Sequence, residues 1–243
     1  MNAGTLASPP GGAPVRPFAI GMLVFPGMTA LDLAAPLDVF ARLPNARVHL
    51  LGKTLEPVVT DIGFTERPTL RLQDALQLDL LFVGGGPGVN ALMEDELTIA
   101  FLQAQAPGAQ WVTSVCTGAL VLGAAGLLRG YRAATHWAVM HLLPLFGAEP
   151  VEQRVVVDRN RISGGGVTAG LDFAITVAAQ LHGPARAHAM QLAMEYEPEP
   201  PFAGGSPRSA PAALVAKVSE MLAPGTRARL EAAQRVAHRN GWA

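Results

Sequence analysis

The sequence predicts an α/β fold with a doubly wound, mostly parallel sheet. Apolar strand-like runs alternate with helical segments along the chain, which is typical of parallel sheets covered by helices. Half of the 243 residues are hydrophobic and only 15% are charged, so a large core can form. No repeat or long linker divides the sequence, and we expect a single domain over residues 17–243 with a helical C-terminal tail.

The first half of the chain supplies most of the predicted sheet. Residues 17–25 form a continuous apolar run that ends at Pro26-Gly27, as in a strand buried on both faces. A helix is predicted over residues 29–43, with a break or kink at Pro36. The other expected elements are strands over 46–51 and 78–83, a helix from about residue 95 to 106, and a strand ending at Cys116.

The second half continues the alternation less regularly. A hairpin is predicted from residues 154–158 and 161–163, and Thr168 is a candidate N-cap for the helix after it. Helical structure is also expected over residues 135–143 and onward to about residue 196. Residues 198–211 are rich in Pro, Gly and Ser and should be irregular, and the last thirty or so residues predict one or two short helices.

Composition and the ends of the chain narrow the choice of partners and compartment. The net charge of −1 argues against nucleic acid or an anionic membrane as a partner, and no apolar run is long enough for a membrane span. Residues 1–16 are rich in Pro, Gly and Ala and predict a flexible extension rather than a signal peptide. One cysteine cannot form an internal disulfide, so we expect a reducing, cytoplasmic location.

Cys116 is the only cysteine, and it lies where a β-prone run meets a helix-prone run starting at Gly118. A side chain at such a turn projects from the carboxyl end of a sheet toward a helix N-terminus, which favours a thiolate. The position therefore predicts a nucleophile. The alternative is a small buried hydrophobic residue, the usual role of a free cysteine.

Asp32 and a glycine cluster are the groups expected near Cys116. Asp32 follows the first strand between two leucines, and the strand before Cys116 can end in the same crevice. Asp32 could therefore move protons from a partly desolvated position, or it could simply cap a helix. The cluster at residues 84–88 could offer N–H donors to a developing negative charge, or it could be a plain tight turn. No acidic residue follows at the spacing of a dinucleotide site.

The histidines do not indicate a metal site. His136 and His141 are five residues apart rather than four, and no cysteine cluster is present. His136 could line a pocket, although a packed, hydrogen-bonded histidine is the more common role. Trp137 is interpreted as a core or interface residue.

Taken together, six segments resemble the DJ-1/PfpI superfamily over about residues 17–205. They are Phe25-Pro26-Gly27, Leu31-Asp32-Leu33 with Pro36, Gly84-Gly85-Gly86, Ser114-Val115-Cys116-Thr117-Gly118, Thr135-His136-Trp137 and the run from Gly164 to Asp172. Within the superfamily the chain is most similar to the isocyanide hydratases, which have an aspartate where other branches have a glutamate.

The resemblance implies a flavodoxin-like fold of the class I glutamine amidotransferase type, a homodimer, and neither a metal nor an organic cofactor. It implies that Cys116 is the nucleophile, that Asp32 is its acid/base partner and that Thr117 lines the site. Gly85 and Gly86 would form an oxyanion-type pocket in which the Gly86 N–H is the donor. His136 and Val167 would line the substrate pocket. The implied reaction is hydration of an isocyanide to an N-substituted formamide.

Other members of the superfamily suggest alternatives. The protease-like members have a histidine directly after the cysteine, where this chain has Thr117, so peptidase activity is not expected. The domain also resembles the ligand-sensing half of AraC-type regulators, but we expect the tail up to Ala243 to be too short for the DNA-binding half. A low-pKa thiolate would also suit an oxidation sensor.

Overall fold

The computed structural model describes residues 16–242. The predicted N-terminal extension lies outside the described residues except for Arg16, which forms an ion pair with Asp79. Eleven strands are present in this part of the chain: β1 (Phe18–Leu23), β2 (Ala46–Gly52), β3 (Val58–Val59), β4 (Thr65–Glu66), β5 (Leu70–Arg71), β6 (Leu80–Val83), β7 (Trp111–Val115), β8 (Arg132–Ala133), β9 (Glu149–Pro150), β10 (Val155–Asp158) and β11 (Arg161–Gly164).

Seven α-helices lie between and after these strands: α1 (Ala30–Phe40), α2 (Val89–Leu92), α3 (Glu96–Gln105), α4 (Gly118–Ala124), α5 (Ala169–His182), α6 (Pro184–Ala193) and α7 (Ala212–Arg239). Three 3₁₀ helices are also present among the described residues: Leu72–Asp74, Ala106–Gly108 and Trp137–Phe146. None of the described helices is both long and apolar enough to cross a membrane.

The main sheet has seven strands in the order β10-β11-β7-β6-β1-β2-β5. All neighbours in it are parallel except β10 and β11, which form the predicted antiparallel hairpin. β6 is buried along its whole length, as expected for a continuous apolar run between helical layers. The doubly wound, mostly parallel α/β fold predicted from the sequence is confirmed.

Helices cover the sheet in two groups. α1 packs against α5, and α5 packs against α6, while α4 contacts α2, α3, α7 and the 3₁₀ helix Trp137–Phe146. In the first group Phe40 of α1 and Phe173 of α5 meet Phe82 of β6, with ring centroids 5.6–6.2 Å apart. These fully buried aromatic side chains fasten α1 to the centre of the sheet, and α1 carries Asp32.

Parallel pairing brings the carboxyl ends of the central strands to one edge. β6 lies between β1 and β7, with Leu23 opposite Val83 and Val83 opposite Ser114. Gly164 at the end of β11 lies opposite Val115. The loops that follow β1, β6, β7 and β11 therefore meet at this edge, as predicted for the first strand and the Cys116 strand.

Several local predictions differ from the structure. α1 is continuous through Pro36 rather than broken, although Pro36 has no N–H to donate to the Asp32 carbonyl. The helix predicted over 135–143 is the 3₁₀ helix Trp137–Phe146, within which Pro144 cannot make an α-helical hydrogen bond. The tail is one 28-residue helix, α7, because its buried face compensates for Pro224 inside it.

Candidate active site

Cys116 occupies a tight turn between β7 and α4, as predicted. Its φ is +53°, a left-handed conformation that is costly for a residue with a side chain. Three hydrogen bonds maintain it: the Cys116 N–H donates to the carbonyls of Gly164 (3.1 Å) and Gly165 (2.8 Å), and Thr135 Oγ1 donates to the Cys116 carbonyl at 2.7 Å. The strained turn fixes where the sulfur lies.

Asp32 is in the first turn of α1 and is completely buried. Its Oδ2 accepts a hydrogen bond from the Gly85 N–H at 2.7 Å, and Oδ1 has no partner among residues 16–242. Neither oxygen caps α1. Of the two roles left open by the sequence, helix capping is therefore wrong, and the carboxyl group instead faces the glycine loop after β6.

The Asp32 carboxyl and the Cys116 thiol form a coupled pair. Burial raises the pKa of Asp32 to about 7, against a lowering by the Gly85 N–H and by Cys116. Burial and the neighbouring Asp32 carboxylate raise the pKa of the Cys116 thiol, while the Thr117 N–H lowers it. Near neutral pH the thiol therefore keeps its proton while the Asp32 carboxyl group titrates beside it.

The expected stabilisation of a thiolate by its position alone is not what the structure indicates. α4 has only seven residues, all of them buried, and Cys116 is 5% exposed. Loss of hydration disfavours the charged sulfur more than the helix terminus favours it, so the thiol pKa is raised rather than lowered. Ionisation of Cys116 then requires Asp32 to accept its proton.

The glycine loop has an architectural function that its sequence did not reveal. The Gly85 N–H is taken by Asp32, and the Gly86 N–H donates to Thr117 Oγ1 at 3.0 Å. Gly86 was predicted to be the oxyanion donor, yet its N–H is occupied by Thr117. A Cβ on Gly85 would lie 2.6 Å from the Thr117 nitrogen and 2.8 Å from Asp32 Oδ2. Only glycine allows this approach.

Thr117 lies at the junction of these groups. Its Oγ1 accepts from the Gly86 N–H, and its own backbone N–H lowers the pKa of the Cys116 thiol. Thr117 is 4% exposed, so both contacts are shielded from water. The structure thus brings Cys116, Asp32, Thr117, Gly85 and Gly86 together, as the sequence predicted.

His136 and Val167 lie to one side of this cluster. Both line a half-open cavity of about 700 Å³, which meets the cluster at Thr135 and Gly165 but is lined by neither Cys116 nor Asp32. His136 stacks on Trp137, and its Nδ1 accepts from the Ala138 N–H at 3.3 Å. Burial lowers the pKa of His136, and the Arg229 charge lowers it further. It is thus a hydrogen-bonded histidine that also faces the cavity.

Thr168 precedes α5 as predicted, but its side chain makes no capping hydrogen bond. Its carbonyl instead accepts from Arg154 at 2.8 Å. Within residues 16–242, no group of three or more His, Cys, Asp and Glu side chains could hold a metal ion.

Two residues at the site were not singled out from the sequence. Thr135 fixes the Cys116 carbonyl, and its only signal was its place in the Thr135-His136-Trp137 segment of the DJ-1/PfpI resemblance, which gave it no role. Arg229 of α7 reaches the glycine loop, where its Nη2 donates to the Gly86 carbonyl at 3.4 Å. No local pattern around Arg229 could have shown this, because only tertiary packing brings α7 to the site.

Comparisons with known proteins agree with this architecture. The chain is 51% identical over 218 residues to the isonitrile hydratase of Pseudomonas putida, covering 90% of this chain and 96% of that protein. The crystal structure of a ThiJ/PfpI family protein from Pseudomonas syringae superposes with a TM-score of 0.88 at 41% identity, covering 94% of this chain and 98% of that one.

A more distant relative belongs to another functional class. The HTH-type transcriptional regulator GbdR of Pseudomonas aeruginosa is 30% identical over 190 residues, which are 75% of this chain but only 52% of the regulator. The DJ-1/PfpI family model matches residues 19–180, from β1 into α5. The chain belongs to the DJ-1/PfpI family.

Proposed function

We propose that this protein is an isocyanide hydratase that converts an isocyanide and water into an N-substituted formamide without a cofactor. The 51% identity to the isonitrile hydratase of Pseudomonas putida over 90% of the chain carries the proposal. The buried thiol–carboxyl pair supports it, because isocyanide carbon is attacked by a soft nucleophile and must also receive a proton.

In the first half-reaction the Cys116 sulfur adds to the terminal carbon of the isocyanide. Asp32 takes the thiol proton as the carbon–sulfur bond forms and passes it to the same carbon, which gives a thioimidate, R–N=CH–S–Cys. A carboxyl group with a pKa of about 7 is suited to both transfers near neutral pH.

In the second half-reaction water attacks the thioimidate carbon. Asp32 accepts one proton of the water and passes it to the substrate nitrogen, which gives a tetrahedral R–NH–CH(OH)–S–Cys. Collapse of this species breaks the carbon–sulfur bond and releases R–NH–CHO. The hydroxyl proton returns to the Cys116–Asp32 pair. The Thr117 N–H beside the sulfur stabilises the departing thiolate.

The substrate's N-substituent has a candidate location in the cavity beside His136 and Val167. Its size of about 700 Å³ suits a small organic molecule. We infer further that the protein works as a cytoplasmic homodimer, without nucleic-acid or membrane partners. The single cysteine and the net charge of −1 support the compartment and the absence of those partners.

The test is hydration of a simple alkyl isocyanide followed by formamide absorbance. Cys116→Ala and Cys116→Ser should lose turnover, and Asp32→Asn should lower kcat by about 100-fold or more while the protein stays folded. Asp38→Asn is the matched control, since Asp38 lies in the same helix but is exposed. Hydration by Cys116→Ala would show the covalent route to be wrong, and full activity of Asp32→Asn would remove only the proton-transfer role.

A ligand-sensing role is the second candidate, favoured by the match to GbdR. It differs from the first in one measurable respect, because a sensor binds the isocyanide or a related ligand without producing formamide. An oxidation sensor is less well supported, since Cys116 is only 5% exposed.

A further inference from the structure

Helix α7 brings a guanidinium group into the Cys116 site. α7 packs against α2 and the 3₁₀ helix Trp137–Phe146, which begin at the glycine loop and at His136 respectively. Arg229 lies on this packed side, and its Nη2 donates to the Gly86 carbonyl at 3.4 Å. The N–H of the same Gly86 donates to Thr117 Oγ1, next to Cys116. Two hydrogen bonds through Gly86 thus connect Arg229 to Thr117, the residue that follows Cys116.

The environment of Arg229 is unfavourable for a residue that serves only packing. Its Nε is buried and has no hydrogen-bond partner among residues 16–242. Burial lowers the pKa of the guanidinium, which nevertheless stays charged. A partly buried and incompletely paired cation costs free energy, whereas an apolar side chain of similar length would not. Its charge therefore needs an explanation beyond packing.

The charges around Cys116 supply that explanation. From α1, the Asp32 carboxylate raises the pKa of the thiol, and Asp61 of the β3–β4 hairpin adds to the burial that raises the pKa of Asp32. From α7, the positive charge of Arg229 lowers the pKa of the thiol. The imidazole of His136 faces the same guanidinium, and burial keeps it neutral. Arg229 thus opposes the carboxylate at the sulfur.

We propose that Arg229 is a positioning residue of the Cys116 site, which braces the Gly86 carbonyl and provides the positive charge against which the Cys116 thiolate forms. In this proposal α7 contributes to the site through the Arg229 guanidinium and is not a peripheral tail. The proposal rests on Cys116 as the nucleophile, but its test does not depend on isocyanide hydration.

The test is the pH dependence of Cys116 alkylation by iodoacetamide, which reports a single site because the chain has one cysteine. Arg229→Met and Arg229→Gln remove the charge with little loss of length. We expect the midpoint of alkylation to rise by about one pH unit or more, and the rate at pH 7 to fall about tenfold. Arg229→Lys, which keeps the charge but not the planar fork, should recover most of that rate.

Arg227→Met is the matched control, because Arg227 is exposed on the same helix. It should alkylate with the wild-type midpoint. A wild-type midpoint in the neutral variants, or an equal rise in Arg227→Met, would overturn the proposal. If both neutral variants fail to fold, the test uses Arg229→Lys, which keeps the positive charge. A rise of about one pH unit or more in its alkylation midpoint would then also overturn the proposal. If the protein does not hydrate isocyanides but the neutral Arg229 variants still raise the alkylation midpoint, only the proposed function is refuted.

Discussion

Asp32 combines two properties that oppose each other energetically: it is completely buried, and Oδ1 has no hydrogen-bond partner among the described residues. An ionised carboxylate in this position destabilises the folded state, because one of its oxygens loses its hydration without gaining a hydrogen bond. Function accounts for its retention, because a carboxyl group that ionises near pH 7 can take a proton from Cys116 and return it.

The same property predicts how the stability of the folded state depends on pH. Burial moves the pKa of Asp32 from an ordinary 3.8 in the unfolded chain to about 7 in the folded one. Between these values the folded state binds more protons, so Asp32 makes the free energy of unfolding fall as pH rises. At 1.36 kcal/mol for each tenfold change in the proton equilibrium, the upper limit is about 4 kcal/mol.

Asp32→Asn removes this titration and keeps an oxygen that can accept from the Gly85 N–H. The stability of Asp32→Asn relative to wild type should therefore increase steadily from pH 4 to about pH 7 and then level off. Urea unfolding at one-unit pH intervals measures the difference, in which the other titrating groups cancel. A difference between Asp32→Asn and wild type that stays constant with pH would contradict the raised pKa.

At the same scale the sequence revealed Cys116 and Asp32 because each follows a strand whose apolar pattern can be recognised. Gly85 and Gly86 belong to the glycine cluster that follows such a strand, whereas Thr117 was assigned through the resemblance to the DJ-1/PfpI superfamily. The occupation of the Gly86 N–H by Thr117 was not predictable, since it depends on the distance between two loops. Arg229 was missed for the same reason, because a helix far along the chain delivers it.

The glycine loop after β6 determines how closely two other elements can approach. Gly85 separates the start of α1, which carries Asp32, from the turn that carries Cys116 and Thr117. Gly85→Ala should lower the free energy of unfolding by about 1–3 kcal/mol, because the added methyl group overlaps backbone that cannot easily move. Hydration activity should fall with it, as the carboxyl and thiol are pushed apart.

Gly205→Ala is a suitable control for the stability measurement, because a Cβ there meets no atom within 4 Å. Its unfolding free energy should stay within about 0.5 kcal/mol of wild type. Chemical denaturation of both variants makes the comparison. If Gly85→Ala is as stable as Gly205→Ala and as active as the wild type, close approach at Gly85 is not what builds the site.

Elements with strong periodicity were predicted well, and those decided by packing were not. β1, α1 and α3 are near their expected positions because apolar runs and turn residues delimit them. Strands β3, β4, β5, β8 and β9 have two residues each, too few to show a period. The tail was expected to form one or two short helices, yet α7 is a single long helix with Pro224 inside it. Burial of Ala232, Ala233, Val236 and Ala237 against the 3₁₀ helix and its neighbours outweighs the local preference of proline to break a helix.

At the scale of the whole molecule, an exposed apolar surface supports the proposed homodimer. Ile62 and Phe64, in the β3–β4 hairpin, are 69% and 63% exposed. Asp61 joins this hairpin to the start of α1, where its carboxylate accepts hydrogen bonds from Thr29 Oγ1 (2.8 Å) and the Ala30 N–H. Val59 and Leu31 extend the apolar surface. A patch of this kind can bury itself against a second copy in a two-fold arrangement.

If two copies meet through this patch, light scattering should give a mass about twice the 25.4 kDa of one chain. Phe64→Glu places a charge where the two copies would exclude water, and it should reduce the mass to that of the monomer at micromolar concentration. Phe202→Glu is the matched control, since Phe202 is 83% exposed but lies in the segment before α7. A monomeric wild-type protein would contradict the dimer, and equal dissociation by both variants would place the interface elsewhere. Because α1 carries both Leu31 and Asp32, loss of the dimer should also lower hydration activity, which links assembly to the position of the catalytic carboxyl.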